Sequence, residues 1–155
     1  MDDKELLNEF KKYFCLEELV DEDVFNKYGD TAWQFLDIRL LKTLLFIRVS
    51  LGTTMTINNW KWGGRFSQRG LRHNRSAMVK NKTNIYLSAH MLGKAADFDV
   101  KGMTSVEVRQ WLVDNNEALP YKIRLERKLN GKQISWCHLD TNSNPSNPKV
   151  YEFDI

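Results

Sequence analysis

At 155 residues the chain has the length of one domain with its own core, and 42% hydrophobic against 28% charged residues excludes a disordered or fibrous protein. Its 23 basic and 20 acidic side chains are scattered along the chain, so a net charge of +3 builds no basic stripe suited to nucleic acid, although a mildly basic surface suits an anionic polymer such as a bacterial cell wall. No apolar run is long and uncharged enough to span a bilayer, and the acidic start Met1-Asp2-Asp3-Lys4-Glu5 does not read as a signal peptide. Synthesis in the cytoplasm is therefore expected, with any role at a cell wall requiring release by another route.

Leu6, Leu7, Phe10 and Phe14 recur at helical spacing behind the carboxylates of Asp2, Asp3 and Glu5, which predicts a helix over 2–14. A second helix is expected from Glu17 to Tyr28, stopped by Gly29. A third, the longest, is expected from Asp30 or Thr31 through Leu36, Leu40, Leu44 and Ile47 toward Gly52. The charges at Asp37, Arg39, Lys42 and Arg48 make this a helix packed on a sheet. From Thr53 to Trp60 the composition turns β-like, and a long loop rich in Arg, Asn, Lys and Ser follows up to Asn84, of the kind that usually carries binding or catalysis.

Ala95 to Val100 reads as a strand, and the capping box Thr104/Glu107 opens a helix that Pro120 closes. The rest is expected to be a meander: Tyr121 to Leu129, a turn at Asn130-Gly131, Ile134 to Asp140, an Asn/Pro-rich loop over 142–148, and a last strand Val150 to Ile155. Helices first and paired strands later give an α+β fold in one domain, an antiparallel sheet with N-terminal helices packed on it.

Within this frame, Ser88 to Asp99 sets an imidazole, His90, seven residues before a carboxylate, Asp97, around a small-residue turn. A second imidazole, His138, sits in the β-prone run Trp136-Cys137-His138-Leu139-Asp140. Two histidines and a carboxylate are three ligands, which leaves the fourth position of a tetrahedral zinc for water, and a mixed N/O set suits zinc better than calcium or magnesium. Cys15 and Cys137 form no C-x-x-C pair, and Cys137 is expected on the strand face opposite His138. His73, in the polar loop, is expected to be solvated or on the substrate side.

The pattern Ser88-x-His90-x-x-Gly93-x-Ala95-x-Asp97, followed by Trp136-x-His138, resembles the zinc D-Ala-D-Ala carboxypeptidase and phage endolysin peptidase family, whose fold is shared with the hedgehog signalling domain. The resemblance runs from about Met55 to Asp140. It implies one zinc ion held by His90, Asp97 and His138, hydrolysis of amide bonds in peptidoglycan stem peptides, and, for a chain of this kind, a phage or prophage lysis enzyme. The family's arginine upstream of the first histidine, in a G-Y-R-like motif, implies Arg72 of Gly70-Leu71-Arg72 as substrate anchor, with Arg69 behind it. Ser88 either bonds the substrate or shapes the turn.

The sequence departs from the family at the catalytic base. Where members place Glu or Asp three residues before the last ligand, or His two before it, this chain has Ser135 and Trp136. Glu126 is the substitute, on the strand that the Asn130-Gly131 turn pairs with that of His138. A two-residue loop puts it opposite Ser135, away from His138; a three-residue loop puts it opposite Trp136, on the face of His138. Asp140, two residues beyond His138, is the other candidate, as base or as orienting partner of an imidazole. The missing glutamate at position 135 keeps an alternative alive, a zinc-bearing binding or structural protein of the same fold without turnover. A further option is that residues 1–51 form a docking module for an assembly.

Overall fold

The computed structural model describes residues 1–144 and 148–155. Four α-helices and five strands are described, and each helix starts where a side chain can satisfy its free N–H groups. Asp2 and Glu5 form a capping box for α1 (Asp3–Phe10). Asp21 accepts from Val24 N to open α2 (Glu22–Tyr28), which splits the helix expected over 17–28. Asp37 does the same for α3 (Ile38–Leu51), so the long third helix begins at residue 38, after a 3₁₀ stretch over Gly29–Phe35. Asp37 is fixed in that role because its own N–H donates to Gly93 O at 2.9 Å, which pulls the chain out of helix. The capping box Thr104/Glu107 opens α4 (Ser105–Asp114) as the sequence predicts.

The strands are β1 (Met55–Thr56), β2 (Ala95–Val100), β3 (Ile123–Leu129), β4 (Lys132–Asp140) and β5 (Val150–Asp154), joined in the order β1-β2-β4-β3-β5. The β-like run 53–60 thus yields only a two-residue strand. The fold is α+β, but the sheet is mixed where a fully antiparallel meander is expected: β5 lies parallel to β3. Both edges of β4 are taken, by β2 and β3, so β5 pairs with the other edge of β3 and starts at the end where β4 stops, with Ile123 beside Val150. Residues 145–147 of the expected Asn/Pro-rich loop lie outside the described residues.

Strand alternation sorts the sheet into two chemically distinct faces. Ala96 and Phe98 of β2, Ile123 and Leu125 of β3, and Cys137 and Leu139 of β4 are almost fully buried and share one hydrophobic core with Phe10, Leu40, Leu44, Val108 and Leu112 of the helices. Burial of each large side chain contributes about 1.5–3 kcal/mol, so this face fixes the register of the three central strands. The other face carries the polar groups described next.

Candidate metal centre

Two rows of directly paired residues cross that second face. One runs Asp97, His138, Glu126, Phe153 over β2, β4, β3 and β5; the next runs Ala95, Asp140, Arg124, Tyr151. Directly paired residues share a face, so four strands deliver their chemistry to one line. His90 joins from the turn before β2. The ligand atoms of His90, Asp97 and His138, all buried, lie within 4.8 Å of one another.

The hydrogen bonds fix which nitrogens are offered. His90 Nδ1 lies 2.8 Å from Gly70 O, a carbonyl that can only accept, so Nδ1 carries the hydrogen and Nε2, 3.3 Å from Asp97 Oδ2, keeps its lone pair. His138 Nε2 lies 2.9 Å from Asp140 Oδ2 and its Nδ1 2.8 Å from Asp97 Oδ1. With Nε2–H donated to Asp140, Nδ1 of neutral His138 points at Asp97 and into the group. Two lone pairs and a carboxylate converge, each imidazole oriented by an acceptor behind it, a donor set that could hold a metal ion.

Burial disfavours ionisation of Asp97, but the hydrogen bond from Nδ1–H of protonated His138 and the imidazoles packed against the carboxyl outweigh it and hold the carboxyl well below the usual carboxylate range. Burial also opposes charge on His138, yet its bonds to Asp140 and Asp97 raise it to about 9. In the metal-free arrangement His138 therefore keeps a proton that a metal must displace.

Asp140 is completely buried and fully engaged. Arg124 Nε and Nη2 reach its two oxygens at 2.8 and 3.1 Å, and Asn142 N donates to Oδ1 at 3.1 Å. The Arg124 guanidinium lies over the Phe153 ring, 4.7 Å from its centroid. Glu126 differs: among the described residues no hydrogen bond holds its carboxylate, which faces the cleft and is raised above the usual range, first by burial and then by Asp97.

Glu126 reaches this position by a route neither loop length provides. The turn is two residues, with Asn130 and Gly131 both at positive φ and Leu129 paired to Lys132. Between Lys128↔Gln133 and Glu126↔His138 the register shifts, so residues 134–137 of β4 stand against Arg127 alone and Glu126 lands opposite His138. The expected pairings with Ser135 or Trp136 are both corrected by this bulge.

The cleft over the cluster encloses about 490 Å³ and is lined by Met78 of the polar loop, by Tyr86 and Leu87 just after it, and by Trp136, Phe153 and Ile155. Arg72 lines it, with Nη2 3.3 Å from Asp97 Oδ2 and Nε donating to Gln68 O at 2.8 Å. Arg69 is spent on Asp99 at 2.7 Å. Ser88 Oγ accepts from Met91 N at 3.3 Å and so shapes the turn that carries His90, while also lining the cleft. His73 is not brought to the metal group; its Nε2 meets Asp21 Oδ2 at 2.7 Å, tying the polar loop to the start of α2.

Arg124, Phe153 and the Gly70 carbonyl are parts of the site that the sequence reading does not identify. The alternation Arg124-x-Glu126 facing His138-x-Asp140 is a signal for the first of these, legible only once the register is known. No family model matches the chain, and neither the curated proteins nor the solved structures show a match to it. No helix is long and apolar enough to cross a membrane among the described residues.

Proposed function

We propose that the protein is a zinc-dependent peptidase that hydrolyses amide bonds of peptidoglycan stem peptides. The observation that carries this reading is the convergence of His90 Nε2, His138 Nδ1 and Asp97 in an open cleft beside an unengaged carboxylate, Glu126. When bound, zinc supplies Lewis acidity, polarising a carbonyl oxygen and acidifying a water. The chain's own residues do the remainder. Asp140, clamped by Arg124, keeps the hydrogen on Nε2 of His138; Gly70 O does the same for Nδ1 of His90. Glu126 accepts the proton of the attacking water and returns it to the leaving amine, a role open to it because no hydrogen bond holds it among the described residues. Arg72 steadies Asp97 and faces the substrate from the cleft wall.

Peptidoglycan as substrate rests on the motif resemblance over about Met55 to Asp140 and on the mildly basic surface. In this reading the enzyme is made in the cytoplasm and reaches the wall on release, as a phage lysis enzyme does. The test is elemental analysis of wild type and His138→Ala alongside digestion of purified sacculi by both. About one zinc per chain and new amino groups in the wild type alone are expected. Zinc without cleavage leaves the non-catalytic protein of the same fold, and absence of zinc refutes the site.

A further inference from the structure

The bulge that brings Glu126 opposite His138 leaves part of β4 without register partners on β3. Residues 134–137 face a single residue, Arg127, so the carbonyls of this stretch need donors from elsewhere. Two of them are met by α4, on the core side of the sheet. Ser105 Oγ donates to Ile134 O at 2.8 Å, and Arg109 Nη1 donates to Trp136 O at 3.3 Å.

Ser105 and Arg109 are four residues apart and therefore lie on one face of the helix, matching carbonyls two residues apart on the strand. Arg109 is only 3% exposed, and its Nη2 is buried with no partner among the described residues. A buried guanidinium with a spare donor is costly, and an aliphatic side chain would fill the same space on an apolar helix face without that cost. Its bond to Trp136 O, two residues before His138, is the feature that explains an arginine here.

We infer that Ser105 and Arg109 are positioning residues: α4 stands in for the missing ladder, holds the bulge of β4 open, and thereby sets His138 in line with Asp97 and Glu126. They touch neither metal nor substrate and act through the backbone of 134–137. The inference rests on the metal-site reading above.

The probe is Co(II) alone, bound to the full chain and followed by its visible d–d spectrum and by titration, with Arg109→Met, Arg109→Lys, Ser105→Ala and the helix control Gln110→Ala. Gln110 is exposed and its side chain donates to Asp114 within the same helix, so its replacement perturbs α4 without removing a bond to β4 among the described residues. Arg109→Met and Ser105→Ala are expected to weaken Co(II) binding about 10-fold, the lower end for groups that orient ligands, and to alter the spectrum. Arg109→Lys, which restores one donor to Trp136 O, is expected to recover most of the affinity, and Gln110→Ala to leave affinity and spectrum unchanged. Wild-type affinity and spectrum in both Arg109→Met and Ser105→Ala would overturn the inference, whatever their melting temperatures. If Arg109→Met does not fold, Ser105→Ala against Arg109→Lys decides in the same way. A wild type that binds no Co(II) refutes the metal site itself, and the inference with it.

Discussion

Asp140 accepts a hydrogen bond from Nε2 of His138 at 2.9 Å while both of its oxygens are gripped by Arg124. The pair sits on adjacent same-face positions of β4, and Arg124 reaches it from the partner strand, directly across the ladder. The result is a chain of three side chains, Arg124 to Asp140 to His138, that ends on the nitrogen turned toward Asp97.

Asp140→Asn keeps the volume of this buried group but removes the charge that holds the Nε2 hydrogen. Zinc affinity is expected to fall about 10- to 100-fold, with the secondary structure intact, as measured by competition with a chromophoric chelator. Unchanged affinity would show that Asp140 does not orient His138.

Glu126→Gln separates metal binding from chemistry. The carboxylate makes no contact that the ligand set depends on, so zinc content is expected to stay at the wild-type level while turnover of muropeptides drops by about 10²- to 10⁴-fold. A Glu126→Gln protein that cleaves at the wild-type rate rules this residue out as the base.

The metal-free protein carries a titratable group on each side of neutrality. Asp97 and Asp140 are held below their ordinary range, burial opposing and the bonds from His138 winning, so their stabilisation is present above about pH 3.9 and is lost as pH falls. His138 is raised to about 9, so its contribution is complete below about pH 6.5 and is lost as pH rises through 9. In the proposed zinc site the metal would take the place of that proton. At pH 8, free zinc at about 100 times its Kd stabilises by about 2.7 kcal/mol, a rise in Tm of about 5–10 °C for a chain of this size. At pH 5.5 the same zinc concentration is expected to have a much smaller effect, because His138 holds its proton against the metal. Thermal melts with zinc and with chelator at the two pH values check this; equal shifts contradict it.

The parts of this architecture that local chemistry specifies were legible in the residues. Thr104 with Glu107 announced α4, Asn130-Gly131 the hairpin, and the spacing of His90, Gly93 and Asp97 the convergent group. What was not legible depends on long-range contacts. Asp37 reads as a polar interruption in a helix until Gly93 O is there to receive its N–H. The position of Glu126 depends on a bulge that the hydrophobic face favours: behind the two-residue turn an unbroken ladder would put Leu125 opposite Trp136 and away from Cys137, whereas the shifted register puts Leu125 opposite Leu139 in the core. β5 reads as the next antiparallel strand until both edges of β4 are seen to be occupied.

The helical first third of the chain is built into the support of the candidate site, which bears on whether it is a separable docking module. Leu71 N donates to Leu19 O at 2.8 Å, next to the Gly70 carbonyl that orients His90, and a Cβ at Gly70 would collide with that same Leu19 oxygen. Gly93, at φ +67°, packs so closely against Phe35 that a Cβ would strike its carbonyl. Gly93→Ala is therefore expected to destabilise by at least about 2 kcal/mol, through the left-handed backbone and the collision together. Removing residues 1–52 altogether exposes Ile57, Phe98 and Leu71 and deletes the backbone against which both glycines are seated. The fragment 53–155 is expected to show no cooperative melt and no stoichiometric Co(II) binding. A fragment that folds and binds the metal would instead establish residues 1–52 as an independent module, and would leave their close seating against Gly70 and Gly93 without a role in the site.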